Sequence, residues 1–89
     1  MRVGVPEHLH PYCGGSAEVA LEGDSIGAIL EDLAVKFPEM GLRVLDDRGR
    51  LRSHLVMICN DRILDRHGLL QVRVSDQDDL RLFTAASGG

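Results

Sequence analysis

The last residues of the chain offer chemistry that side chains do not supply. The final stretch begins as a strand, with apolar residues at Leu80 and Leu82, and its side chains then become small until the chain ends on Gly88 and Gly89. Glycine has no Cβ and adopts backbone angles closed to other residues, so this end suits a narrow active site. Fully extended, residues 84–89 would reach about 20 Å beyond the strand. We expect the α-carboxylate of Gly89 to be activated by another protein, with Gly88 and Ser87 required for the tail to enter that protein's active site.

Two groups of side chains invite a metal or acid–base hypothesis, but their spacing favours neither. His8, His10 and Cys13 lie close together, yet they match no zinc signature and have no second ligand pair at a suitable distance. Asp46 and Asp47 lie beside arginines in a glycine-containing turn, which is typical of a solvated loop. We therefore expect no metal site and no catalytic side chain.

The composition indicates a single globular domain. The 89 residues are 44% hydrophobic and 27% charged, with one tyrosine, two phenylalanines and no tryptophan, so the core must be largely aliphatic. The net charge is −4, and there is neither a basic run nor an apolar segment of bilayer length. We therefore expect no nucleic-acid partner and no membrane partner. Two cysteines give no disulfide framework, and the cytoplasm is the simplest location to expect.

The N-terminal half predicts two strands and one helix. Met1–Val5 and Ala17–Leu21 alternate between apolar and other residues, which indicates two short strands joined by an irregular arm. Ser25 is a favourable N-cap for the segment that follows it. That segment carries an apolar stripe at helical spacing, formed by Ile26, Ile29, Leu30, Leu33, Ala34 and Phe37. Pro38 is expected to end the helix, because the residue before a proline avoids the α region.

The C-terminal half predicts a long loop followed by strands. Pro38–Arg50 is polar and rich in turn residues, with a short helical turn or a bridging segment at Leu42–Leu45. Leu55–Cys59 is apolar on both faces, which predicts a central strand. Ile63–Val74 predicts a short extended segment, and an acidic turn then precedes the last strand at Leu80.

This order of elements predicts an α+β domain, in which a mixed sheet of four or five strands has one main helix packed on one face. The last strand would lie centrally in that sheet. Alternation then places Arg81 and Phe83 on the face away from the helix, together with Val56 and Ile58. We expect these four residues to form a docking face for a partner enzyme at the base of the tail, unless a loop covers them.

Four segments of the chain carry a family resemblance that spans essentially its whole length. They are Gly23–Gly27, Val56–Asp61, Asp76–Leu80 and the Gly88–Gly89 end. On these residues the chain resembles the ubiquitin-like β-grasp sulfur carriers, which include the small subunit of molybdopterin synthase and the thiamine-thiazole sulfur carrier.

The first loop narrows the resemblance to one subgroup. Leu9–Gly15 is similar to the loop of carriers that serve a PLP-dependent cysteine synthase, and of relatives in thioacid and siderophore pathways. Gln77 and Thr84 depart from a glycine and a proline that are common in the family. Neither departure touches the Gly89 carboxylate.

The resemblance implies a β-grasp domain over residues 1–84, a flexible tail over residues 85–89, and a carrier rather than an enzyme. An E1-like adenylyltransferase would use ATP and magnesium to adenylate the Gly89 carboxylate, and a sulfur donor would displace AMP to leave a thiocarboxylate. That group would supply sulfur to an acceptor enzyme such as a PLP-dependent cysteine synthase, for cysteine or another sulfur-containing small molecule. A metalloprotease that processes the C terminus is a further partner that the resemblance allows, and no cofactor would be bound by the chain itself.

Other functions stay open on the sequence. The chain could carry sulfur for molybdopterin, thiamine or thiolated tRNA. It could also be a ubiquitin-like modifier that forms an isopeptide bond through Gly89. A third hypothesis is an interaction domain with an inert tail, since a serine-glycine-glycine end is also typical of linkers and frayed termini.

Overall fold

The computed structural model describes residues 1–85, which form five strands, two α-helices and two 3-10 helices. The strands are β1 (Arg2–Gly4), β2 (Glu18–Ala20), β3 (Leu55–Cys59), β4 (Arg62–Ile63) and β5 (Leu80–Thr84). The helices are α1 (Ile26–Lys36) and α2 (Pro38–Val44), with 3-10 helices at Glu7–Tyr12 and Leu69–Gln71. Within this described part of the chain, no helix is both long enough and apolar enough to cross a membrane.

The five strands form one mixed sheet in the order β2-β1-β5-β3-β4. β5 lies in the centre, parallel to β1 on one side and antiparallel to β3 on the other. The edge strands β2 and β4 pair antiparallel with β1 and β3. The predicted α+β fold class is therefore confirmed, including the central position of the last strand.

Helix α1 covers one face of the sheet, as its apolar stripe predicts. The Ser25 hydroxyl accepts a hydrogen bond of 3.2 Å from the backbone N–H of Ala28, which caps the first turn. The stripe residues Ile26, Ile29, Leu30 and Leu33 are all buried. They meet the inward side chains of the central strands, including Leu55, Met57, Leu80 and Leu82.

The prediction of a loop from Pro38 to Arg50 is wrong over its first half, where α2 forms. Pro38 ends α1 but also occupies the first turn of α2, where its fixed φ favours a helix and its missing N–H costs nothing. Met40 and Val44 are fully buried. At Gly41 a Cβ would lie 2.9 Å from the Cα of Ala34, so glycine permits the close approach of the two helices.

Two further segments are more compact than their sequence suggests. The predicted irregular arm contains the 3-10 helix Glu7–Tyr12, and a 2.9 Å hydrogen bond joins His10 Nε2 of this helix to the carbonyl of Val5, the residue after β1. Its Leu9 is buried in the core. The predicted extended segment Ile63–Val74 contributes only Ile63 to a strand, and the second 3-10 helix occupies its middle.

Asn60 connects the β3–β4 turn to the start of β5. Asn60 and Asp61 form this turn with φ angles of 53° and 68°. The Asn60 side chain donates to Asp78 and accepts from the backbone N–H of Asp79, both at 2.9 Å. The Asn60 hydrogen bond and a second one from the Ser75 N–H hold the pKa of Asp78 below its usual value. These bonds fix the point at which the central strand begins.

Candidate functional site

The site begins where β5 ends, at the root of the predicted tail. Thr84 pairs with Leu55 across the ladder, and the backbone N–H of Ala85 donates a 2.8 Å hydrogen bond to the carbonyl of His54. The chain therefore leaves from the central strand of the sheet, with sheet pairing continuing up to residue 85. The predicted site residues Ser87, Gly88 and Gly89 lie outside the described residues, so their roles stay predictions.

The four residues predicted as a docking face lie together on the side of the sheet away from α1. Val56 lies directly opposite Phe83, and Ile58 lies opposite Arg81. Val56 and Ile58 are half-buried and Arg81 is exposed, whereas the Phe83 side chain is 55% exposed. An aromatic ring this open at the base of the tail is available to a partner, and its role in docking remains a prediction.

Ile63 belongs to the same apolar surface, although it was not among the four residues predicted to form the docking face. Ile63 pairs with Ile58 across the β3–β4 hairpin, and it is 69% exposed. The signal was present in the two residues Asn60 and Asp61, because a two-residue turn fixes the register of a hairpin. We call the surface formed by Val56, Ile58, Ile63, Arg81 and Phe83 the sheet face.

Arg81 gives the sheet face a cationic border, and Gly4 makes room for it. Gly4 is the β1 residue opposite Arg81, and a Cβ placed there would lie only 3.1 Å from the Cγ of Arg81. The Arg81 guanidinium also lies 3.4 Å from the Asp79 carboxylate. Both side chains of this ion pair are exposed, so it contributes little to stability but restricts where the charge lies.

The histidine and cysteine residues of the first loop do not assemble into a metal site. His10 contacts a backbone carbonyl, and Cys13 is buried with its thiol 3.4 Å from the Ser16 carbonyl. Among residues 1–85 no group of three or more histidine, cysteine or acidic residues has a geometry that would hold a metal ion.

The aspartates of the Asp46–Asp47 turn do not form an acid–base pair. Asp46 instead accepts two hydrogen bonds of 2.9 Å from backbone N–H groups, those of Arg48 and Arg50. The Arg50 bond is the main cause that lowers the pKa of Asp46. The carboxylate therefore stabilises its own loop.

A comparison with protein families accounts for this combination of a mixed sheet, a covering helix and a glycine-ended chain. The sequence profile of the ThiS family matches residues 3–89, which is nearly the whole chain. The chain belongs to the ThiS family. The resemblance to ubiquitin-like β-grasp sulfur carriers is thereby confirmed, and the match extends to Gly88 and Gly89.

Similar proteins within the ThiS family include those named CysO. A protein of Mycobacterium tuberculosis named sulfur carrier protein CysO is 29% identical over 89 residues, covering 98% of this chain and 96% of the relative. The crystal structure of M. tuberculosis CysO superposes with a TM-score of 0.84 at 28% identity, covering 96% of this chain and 98% of the other.

Two further solved structures share the fold of this ThiS-family chain. A chain in the crystal structure of the Amycolatopsis orientalis BexX/CysO complex has a TM-score of 0.84 at 25% identity, covering 99% of this chain and 98% of the other. SAMP1 from Haloferax volcanii has a TM-score of 0.73 at 27% identity, covering 99% and 97%.

The two cysteine thiols of this ThiS-family chain lie in positions that make them slow to react. Cys13 is buried, and Cys59 is half-buried at the end of β3. Burial raises the pKa of the Cys59 thiol, and the nearby carboxylates of Asp78 and Asp79 raise it further. Cys13 should react slowly because it is buried, and Cys59 should react slowly because its raised pKa disfavours the reactive thiolate.

Proposed function

We propose that this chain is a sulfur carrier that delivers sulfur, as a thiocarboxylate on Gly89, for the synthesis of cysteine or another small sulfur-containing compound. The observation that carries the proposal is the ThiS-family match, because it extends through Gly88 and Gly89. The name of the mycobacterial relatives, sulfur carrier protein CysO, supports the same function. The chain is a carrier and not a catalyst.

The chemistry starts at the terminal carboxylate, which is a poor electrophile. An E1-like adenylyltransferase would bind ATP and magnesium, and a Gly89 carboxylate oxygen would attack the α-phosphate with loss of pyrophosphate. Sulfide would then attack the carbonyl carbon of the acyl-adenylate and expel AMP, leaving the thiocarboxylate. If the donor is a persulfide, a further thiol must cleave the resulting acyl disulfide.

The thiocarboxylate would then serve as a nucleophile in an acceptor enzyme, such as a PLP-dependent cysteine synthase. Its sulfur would form a bond to the acceptor carbon and replace the leaving group that the acceptor substrate carries on that carbon, giving a thioester with Gly89. Hydrolysis of that thioester would release the product thiol and restore the carboxylate. On this proposal residues 1–84 are the folded domain, residues 85–89 are the tail that reaches both enzymes, and the cycle takes place in the cytoplasm.

The sheet face provides the docking surface that such a cycle requires. Phe83 lies two residues before Ala85, so an enzyme that holds this ring also holds the root of the tail. The BexX/CysO complex supports docking, since a chain of the same fold is found there in an assembly.

Phe83→Asp should weaken binding to the activating enzyme by at least about tenfold, because it replaces an exposed aromatic anchor with a charge. Its fold should persist, since Phe83 points away from the core and is 55% exposed. Calorimetric titration of the purified E1-like enzyme with each variant measures the dissociation constant. Val35→Asp is the matched control, because Val35 is an exposed aliphatic residue on α1, away from the sheet face. Equal affinities for the two variants would remove the docking role of Phe83.

A protein modifier is the second candidate, and the similarity to SAMP1 favours it. The Haloferax volcanii protein is described as small archaeal modifier protein 1. A modifier would use the same adenylated Gly89 to acylate the ε-amine of a lysine in another protein.

One reconstitution separates the two candidates. The chain is incubated with the E1-like enzyme, ATP, magnesium and sulfide, and its intact mass is then measured. The carrier gains the mass difference between one sulfur and one oxygen. If cell extract is added and a ladder of larger adducts appears on a blot while no sulfur is gained, the chain is a modifier.

A further inference from the structure

A second surface borders the root of the tail, on the other side of His54. One cavity of about 360 Å³ lies between the 3-10 helix Glu7–Tyr12 and α2. It adjoins a larger cavity of about 710 Å³, and both are lined by Arg52 and His54. We call the joined cavities the basic groove. Because the His54 carbonyl accepts the hydrogen bond from Ala85, the groove lies directly beside the exit of the tail.

The basic groove is cationic although the chain as a whole carries a net charge of −4. One acidic residue, Asp46, is among its lining residues, and it lies 3.7 Å from Arg50. The arginines that line the groove are Arg43, Arg50, Arg52 and Arg66. The lining therefore retains an excess of positive charge.

Two of these arginines donate hydrogen bonds to backbone carbonyl oxygens. Within residues 1–85 neither of the two forms an ion pair with a carboxylate. Arg52 donates from Nε and Nη2 to the Leu42 carbonyl, at 3.2 and 3.0 Å. Arg66 donates to the carbonyls of Leu55 and Arg52, at 2.6 and 3.1 Å. Carbonyl partners fix the guanidinium groups in place without neutralising their charge. An anionic partner would therefore find two cations already ordered, at a reduced entropy cost.

An exposed apolar residue completes the groove. Leu42 lines the smaller cavity, and its side chain is 68% exposed. It belongs to α2, whose buried residues pack toward the core, whereas Leu42 faces outward. Arg43 stacks 3.9 Å above the Tyr12 ring and bonds Glu39, which stiffens the wall beside Leu42. The groove thus offers an apolar contact next to fixed positive charge.

We propose that the basic groove is a second docking surface, which takes an acidic loop carrying an apolar side chain from the activating enzyme, beside the opening through which that enzyme admits the tail. The inference rests on the proposed function, since it deepens the docking step. Charge complementarity selects the acidic loop, and Leu42 selects its apolar side chain. The position beside Ala85 means that any enzyme enclosing the tail must approach this end of the sheet.

Two variants test the proposal in the full-length chain. Leu42→Glu places a like charge against the acidic loop, and Arg52→Gln removes one fixed cation. Each should raise the KM for the chain in ATP–pyrophosphate exchange by about tenfold and leave kcat unchanged, because docking precedes the chemistry. Added KCl should raise the KM of the parent chain, with a shallower dependence in Arg52→Gln. Val35→Glu is the control, since it makes the same change at an exposed helical residue outside the groove.

Calorimetric titration of the activating enzyme measures docking without chemistry and separates the possible failures. If Leu42→Glu and Arg52→Gln both bind as tightly as Val35→Glu, the groove proposal is overturned, while exchange by the parent chain still supports the carrier function. Absence of both binding and exchange in the parent would overturn the two proposals together. Salt-sensitive self-association of the chain alone, seen by analytical ultracentrifugation, would assign the groove to a second copy and contradict the proposal.

Discussion

Removal of Gly88 and Gly89 is expected to abolish adenylation and sulfur loading completely while the folded domain stays intact. In the proposed cycle the reacting carboxyl belongs to Gly89, and a chain that ends at Ser87 would present its carboxylate about 7 Å short of that position. The shortened tail could still dock through the sheet face, because Phe83 and its neighbours are unchanged. Loss of chemistry without loss of binding is therefore the expected pattern.

ATP–pyrophosphate exchange with the E1-like enzyme measures the loss of adenylation. Calorimetric titration of the same enzyme with the shortened chain measures whether binding persists. Gly88→Val is the companion variant, since it keeps the length of the chain and changes only the width of the tail. It should also lose exchange if the enzyme's channel is shaped for bare backbone. Exchange at the parent rate by the shortened chain would show that the terminus is inert, in line with a plain interaction domain.

Leu33→Glu should unfold the domain at room temperature. Leu33 is only 1% exposed and lies in the centre of the α1 stripe, between the helix and the sheet. The substitution removes a buried leucine, which costs about 2–5 kcal/mol, and places a carboxylate without partners in the core, which costs several kcal/mol more. This sum equals or exceeds the roughly 5–10 kcal/mol of total stability at the lower end of the range for native domains, so the folded state should be lost.

Val35→Glu is the matched control on the same helix. It lies two residues further along α1 and is 77% exposed, so its stability should change by less than about 0.5 kcal/mol. Thermal unfolding followed by circular dichroism, with a proton–nitrogen NMR spectrum of each variant, measures both effects. A well-dispersed native spectrum for Leu33→Glu would mean that α1 presents a different face to the sheet.

Features that depend on local sequence could be predicted well. The α1 stripe, its Ser25 cap and the alternation of β5 each follow from spacing within a few residues, and the structure has all three. Helix α2 could not be predicted in this way, because Pro38 and Gly41 both disfavour a helix when considered singly. Proline is tolerated at its first turn, and the packing of Gly41 on Ala34 compensates for the low propensity of glycine.

The two proposed docking surfaces differ in the same way, because one depends on local sequence and the other on tertiary packing. The sheet face could be assembled largely from sequence, since four of its members lie on two strands that alternate regularly. The basic groove could not, because its lining comes from the first 3-10 helix, α2, the loop before β3 and the segment after β4. Only tertiary packing brings Arg43, Arg52 and Arg66 to one end of the sheet.

The proposed thiocarboxylate on Gly89 can be detected in the intact mass of the protein purified from its own host, measured before and after alkylation near neutral pH. We expect a species heavier by the difference between sulfur and oxygen, which alkylation converts to an adduct on the peptide that ends at Gly89. Cys13 and Cys59 should react more slowly, because one thiol is buried and the pKa of the other is raised. A chain that carries only a carboxylate while its activating enzyme is present and sulfur is plentiful, or one that continues untrimmed past residue 89, would mean that Gly89 does not carry sulfur.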